Sequence, residues 1–199
     1  MNERGPLVRL HRTLPLFAVG MSVALLLQGC SPLDETPVPD AQPEGPTACD
    51  GVARQSVEAI VGRPAKSYQF GDWRTIRETG FSCEVDSPHG AIDIRVTPLS
   101  REDKGAEAAE RVTEWRDAGG DPIETDLAPG EGYLFGEPGQ VITAAWVCTD
   151  RSLEVVLQDV WIDDRRDQRQ DAQNLLFSLL PYTCAQQQVP GVDYTEPEK

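Results

Sequence analysis

The residue periodicities of this chain predict an α+β fold: a mostly antiparallel sheet with helices packed on one face, a two-layer sandwich. Three observations predict it. Two pairs of alternating segments, at 81–96 and 142–157, are each joined by a short turn, so neighbouring strands are hairpin partners and run antiparallel. Near the C-terminus Ala172, Leu175, Leu176, Leu179 and Leu180 recur at i, i+3, i+4, i+7 and i+8, the stripe of an amphipathic helix. Two further stretches with helical stripes precede the hairpins.

The elements follow in order. Residues 50–61 read as a helix with Val52, Ala53, Val57, Ile60 and Val61 on one face, closed by Gly62 and Pro64. Phe81, Cys83 and Val85 alternate with Ser82 and Glu84 as a half-buried strand. Ser87-Pro88-His89-Gly90 is a turn, and Ile92, Ile94 and Val96 form the partner strand. Ser100 with Asp103 resembles a capping box opening a second helix, with Ala106, Ala109, Val112 and Trp115 as its stripe and Gly119-Gly120 as its stop. Tyr133 and Phe135 mark a short strand. Ile142, Ala144, Trp146 and Cys148 share a face of the next, and Leu153, Val155 and Leu157 continue after the turn at 149–152. Pro181 ends the last helix. The predicted order is α-β-β-α-β-β-β-α.

The flanks read differently from the centre. Arg4, Arg9 and Arg12 precede an uncharged run at 13–27, the form of an export signal over residues 1–29. As a helix that run spans about 23 Å, short of a ~30 Å hydrocarbon core. It ends Leu27-Gln28-Gly29-Cys30, which resembles the lipobox of bacterial lipoproteins, although Gln28 fills a slot that usually holds a smaller residue. The resemblance implies cleavage before Cys30, a diacylglyceryl group on its sulfur, and anchoring to the extracytoplasmic face of a membrane. Two acyl chains suffice for a stable anchor. Residues 30–47 then form a proline-rich linker that would extend up to about 50 Å. Residues 48–185 are the expected globular domain, and residues 186–199 an acidic, disordered tail.

The charge narrows the partners. The chain carries a net charge of −15, and loss of residues 1–29 removes three arginines and one glutamate, which moves −15 to −17. Such a surface repels nucleic acid. The expected partners are the membrane, through the lipid on Cys30, and an envelope protein or glycan.

Four cysteines remain beside Cys30: Cys49, Cys83, Cys148 and Cys184. An even count in an exported domain reads as two disulfides, and four cysteines allow three pairings. The pattern favours Cys49–Cys83 and Cys148–Cys184, each tying a helix end to an inward strand position. A zinc or redox site lacks support, with no C-x-x-C and one histidine, His89, after the signal.

Cys30, the proline-rich linker, Cys49 at a helix start, the stop at Gly62 and Cys83 on a strand together resemble the small lipoproteins of actinobacteria that are grouped as a family of unknown function. That resemblance implies an envelope-facing domain and supplies no catalytic residues.

The search for chemistry is short. His89 sits in a Pro-His-Gly turn, and no G-x-S-x-G elbow supplies a serine for a triad. Gly130-Glu131-Gly132 and Gly136-Glu137-Pro138-Gly139 lie between strands and read as hairpin rather than phosphate loop. Asp159, Asp163, Asp164, Asp167 and Asp171 lack the spacing of a calcium loop and fit an acidic helix start. Among Trp73, Trp115, Trp146 and Trp161, Trp73 beside Gly71-Asp72 is the candidate for an exposed aromatic contact. No cofactor or metal is expected. The functional expectation is a non-catalytic binding or accessory module of the envelope. The alternative is an envelope hydrolase using acidic residues.

Overall fold

The computed structural model describes residues 38–40, 45–100, 102–160 and 166–194. The chain divides into residues 1–34 and 35–199. The export segment, Cys30, most of the proline-rich linker, Trp161, Asp163, Asp164 and residues 195–199 lie outside the described residues.

A small hairpin of β1 (Thr47–Cys49) and β2 (Val52–Ala53) leads into α1 (Arg54–Val61). The expected helix start at 50 is therefore four residues early. Gly51 has a φ of 74°, outside the helical region, and turns the chain there. A Cβ on Gly51 would stand 2.9 Å from Val189 Cγ1, so the turn is also packed tightly.

Next come β3 (Lys66–Gly71), a 3-10 turn at Trp73–Thr75, β4 (Phe81–Ser87), β5 (Gly90–Pro98) and α2 (Lys104–Asp117). β6 (Asp121–Ile123), β7 (Glu131–Phe135), β8 (Ile142–Val147), β9 (Arg151–Gln158) and α3 (Gln168–Thr183) complete the body. The main sheet has seven strands in the order β3-β4-β5-β9-β8-β7-β6, and every neighbouring pair is antiparallel. The α+β class and the antiparallel sheet agree with the periodicities. β3 and β6 go beyond the strands they predict, and β6 carries Pro122 at the sheet edge, where a missing donor is tolerated.

Register gathers the core on one face. Cys83 pairs with Ile94, Ile94 with Val155, and Val155 with Ala144. Val85, Ile92, Leu157 and Ile142 form the adjacent row, and all eight are buried. Val57, Ile60 and Val61 of α1 and Leu175, Leu176, Leu179 and Leu180 of α3 close over them. Each such side chain contributes about 1.5–3 kcal/mol on burial.

α2 is placed differently from the expectation of helices on one face. Its Val112, Ala108 and Trp115 pack with Leu99, Tyr133, Phe135 and Val147 in a second, smaller cluster. Tyr133 pairs with Ala145, and Phe135 with Thr143, so these residues have the opposite parity to Ala144 and Trp146. α2 therefore covers the other face of the sheet at the β7–β8 end. The reason lies in β8, whose Ala144, Ala145, Trp146 and Val147 are all buried, the mark of a strand covered on both sides.

The helix caps also differ in detail. Asp103, not Ser100, caps α2: its carboxylate accepts from the Ala106 N–H at 3.0 Å. The Ser100 N–H instead donates to Glu107 Oε2 at 2.8 Å. Pro181 lies inside the last turn of α3 rather than ending it, and the Cys184 N–H closes that turn on the Leu180 carbonyl at 2.8 Å.

Disulfides join Cys49 to Cys83 and Cys148 to Cys184, the pairing that the pattern favours, with sequence separations of 34 and 36 residues. Closing loops of that length stabilises the fold by about 4 kcal/mol each in the chain-entropy account. Two such bridges are consistent with an extracytoplasmic domain. Among the described residues, no helix is long and apolar enough to cross a membrane.

The ordered body extends past residues 48–185 at both ends. Val38, placed in the linker by composition, is 2% exposed, and its N–H donates to Asp171 Oδ1 at 3.1 Å. Its carbonyl accepts from Asn174 Nδ2 at 2.8 Å. Val189, placed in the tail, is also 2% exposed, and its N–H donates to the Tyr194 hydroxyl at 3.1 Å. An isolated valine in a polar segment carries no periodicity, so only the groove it fills reveals its role.

Candidate binding face on the outer side of the sheet

β3 has the reverse of the usual alternation. Its register with β4 pairs Ser67 with Val85, Gln69 with Cys83 and Gly71 with Phe81, so Ser67, half-buried, and Gln69, still exposed, lie on the helix side of the sheet. Ser67 Oγ donates to the Ala48 carbonyl at 2.6 Å. The Gln69 side chain accepts from the Asp50 N–H at 2.8 Å and donates to Asp50 Oδ2 at 2.9 Å. These bonds latch β3 to the β1–β2 hairpin and leave Tyr68 and Phe70 on the outer face.

Tyr68 is 48% exposed and Phe70 58% exposed, two of four large apolar side chains that stand exposed among the described residues. The other two, Leu127 and Val141, lie in loops. α2 packs at the β7–β8 end and reaches β9 through Arg111, and among the described residues no helix covers the outer side of β3, β4 and β5. Covering the exposed parts of both rings would remove about 200 Å² from water, about 5 kcal/mol gross before the costs of ordering a partner.

Two rows of side chains cross this face. In one, Tyr68 pairs with Glu84, and Glu84 with Asp93. In the other, Phe70 pairs with Ser82, and Ser82 with Arg95. Arg95 Nη2 meets Asp93 Oδ2 at 2.5 Å, while Asp93 Oδ1 is buried without a hydrogen-bond partner among the described residues. Glu84 is exposed, directly opposite a second carboxylate, an arrangement that costs a few tenths of a kcal/mol to about 1 kcal/mol. Phe70, Thr79, Ser82, Arg95 and Thr97 line an open groove of about 260 Å³.

Trp73, the aromatic that the sequence singles out, is not on this face. It is 3% exposed, with its ring centroid 4.5 Å from that of Phe81 and 6.0 Å from that of Tyr182. Its Nε1–H donates to the Asp50 carbonyl at 2.8 Å. The Gly71-Asp72 context suggests a loop tip, but Asp72 caps a 3-10 turn that rolls the indole inward. Tyr68 and Phe70 are the exposed aromatics instead. Their period-2 spacing beside polar neighbours is the signal in the sequence, and it reads as an ordinary inward-facing strand unless the latch is known. Burial beside Trp73 pushes the Tyr182 phenol up, with a smaller contribution from Tyr194.

The other candidates take structural places. His89 is exposed in the β4–β5 turn, where its N–H donates to Ser87 Oγ at 3.0 Å. Gly132 in β7 lies under the Trp146 ring, and a Cβ there would stand 2.3 Å from Trp146 Cε3. Gly136 turns the chain between β7 and β8, and its carbonyl accepts from the Arg169 guanidinium. Asp167 caps α3, and Asp171 pairs with Arg166 at 2.7 Å. The four disulfide cysteines are buried in the core. Among the described residues, no group of three or more His, Cys, Asp and Glu side chains is arranged to hold a metal ion. No protein-family profile, no curated protein and no solved structure matches this chain.

Proposed function

We propose that this chain is an exported, lipid-anchored binding module of the bacterial envelope, without catalysis of its own, that takes its partner on the outer face of β3–β5. The observation that carries the reading is the uncovered pair Tyr68 and Phe70 on a sheet face that a helix covers elsewhere. The lipobox-like Leu27-Gln28-Gly29-Cys30, the two disulfides and the resemblance to actinobacterial lipoproteins support the address.

The intact mass of the protein from the membrane fraction of an expressing bacterium tests the anchor. The expected product begins at Cys30, carries a diacylglyceryl group, and gains four hydrogens on reduction of the two bridges. A full-length or unlipidated product refutes the anchored reading. The double variant Tyr68→Ser/Phe70→Ser tests the face: it should keep the lipid anchor and lose no more than about 1 kcal/mol of stability, yet lose the native-gel complex expected of the parent in membranes. A complex that survives both changes refutes the face.

A further inference from the structure

Resting on that reading, we infer that the partner is a protein that lays a basic segment over the outer face, with a lysine or arginine at an acidic groove beside the β4–β5 turn and an apolar side chain against Tyr68 and Phe70. The register sets this polarity. Lys66, Asp86, Ala91 and Gln158 form a third row on the same side of the sheet as Tyr68 and Phe70. The small Ala91 leaves that row low in the middle, and Asp86, Ala91, Gln158 and Asp159 line an open groove of about 370 Å³ there. Glu84, Asp86 and Asp159 are exposed, and their side chains have no ion-pair or hydrogen-bond partner among the described residues. Lys66, across from Asp86, offsets one of the three charges, and the remaining outward cation of these strands, Arg95, is engaged by Asp93.

The aromatic pair adjoins this groove. Residues i and i+2 of a strand lie on one face about 6.8 Å apart, so Glu84 and Asp86 stand one such step from each other on β4. Tyr68 is directly across from Glu84 and diagonal to Asp86, about 7–8 Å away. A lysine or arginine stem that crosses the Tyr68 ring therefore brings its charge within reach of both carboxylates and gains a cation–π contact. It also relieves the repulsion between Glu84 and Asp93. At the other end, the Arg95 side chain is 55% exposed in the Phe70 row and repels a second cation, so Phe70 takes the apolar contact. Charge selects the class of partner. A neutral glycan brings nothing to offset the three carboxylates, and an anionic glycan or lipid is repelled. The chain's net charge of −15 opposes a second copy and steers basic segments toward the face.

The test is photo-crosslinking of the full chain in an exporting bacterium, with Lys66→p-benzoylphenylalanine and, separately, Ser82→p-benzoylphenylalanine. The adduct should map to a segment of another protein that bears a Lys or Arg beside an apolar residue. Glu84→Lys sets a cation across from Asp93, so it should not lower the melting temperature, yet it should cut the yield about tenfold. The neutral pair Glu84→Gln/Asp86→Asn should cut the yield about threefold. Exchanging the mapped Lys or Arg for Glu should restore the yield in Glu84→Lys. An adduct to a glycan, a lipid, a second copy or a segment without Lys or Arg overturns the basic docking, as does an undiminished yield in Glu84→Lys or a charge exchange that restores nothing. Those results would leave the binding-module reading standing. No adduct from either position overturns both.

Discussion

Replacing Asp171 by alanine tests whether the segment ahead of the first hairpin belongs to the folded body. Asp171 is 1% exposed in the first turn of α3. Its carboxylate accepts from Arg166 Nε at 2.9 Å and Nη2 at 2.7 Å, and Oδ1 also accepts from the Val38 N–H. The Arg166 side chain is itself only 7% exposed. Removing one member of a buried pair costs about 3–5 kcal/mol, because the other charge stays behind. Arg166 keeps a further interaction, which places the loss at the low end. The Val38 bond adds about 1 kcal/mol, giving a total of about 4 kcal/mol. For a chain of this size that is a fall in Tm of about 10 °C. Denaturant melts of the full chain measure the loss, and hydrogen exchange should show the Val38 amide freed. The double variant Arg166→Met/Asp171→Leu removes both charges and should cost less than Asp171→Ala alone. A loss below about 1 kcal/mol in Asp171→Ala, with Val38 still protected, would refute the reasoning.

Three other outcomes follow from the packing. Gly132→Ala forces a Cβ into the Trp146 ring and within 2.6 Å of the Ala145 carbonyl, so denaturant melts should show a loss of about 3 kcal/mol; a loss under 0.5 kcal/mol would mean that the ring yields freely. Trp73→Ser should cost about 4 kcal/mol and Phe70→Ser less than about 1 kcal/mol, the contrast between a buried and an exposed ring, and equal losses would contradict the assignment of Phe70 to the surface. Asp150 is held below the usual carboxylate range, chiefly by its hydrogen bond with Arg151, whose side chain is 3% exposed. A depressed native pKa means that the pair's stabilisation is complete above about pH 4 and fades as the pH falls through the native value. Melts against pH should therefore show wild type above Asp150→Asn by a constant margin at neutral pH that shrinks below about pH 4. A margin that does not change with pH would exclude the charge of Asp150 as its source.

The inward faces of both hairpins and the α3 stripe are legible in the amino-acid order, whereas the disulfide pairing, favoured by pattern among three, is decided by the structure. The faces and the stripe rest on a local rule: side chains alternate at period 2 in β4, β5, β8 and β9, and at 3.6 in α3, because burial selects every residue that points inward. Cys83 can be placed beside Ile94 because the turn at Ser87–Gly90 sets the register of one strand against the other. The binding face is not legible this way. Ser67 and Gln69 take the helix side of the sheet because Ala48 and Asp50, about twenty positions earlier, supply their hydrogen-bond partners. That single latch turns Tyr68 and Phe70 outward. Likewise α2 has a stripe that any sheet face could cover, and the choice belongs to Tyr133 and Val147 on strands far along the chain. Val38 and Val189 are single apolar residues in polar segments, and Trp73 sits in what reads as a loop. Each is buried by surfaces that exist only once the sheet has formed. Periodicity therefore determines which residues of a strand or helix share a face, and tertiary packing alone decides which faces are covered and which remain open to a partner.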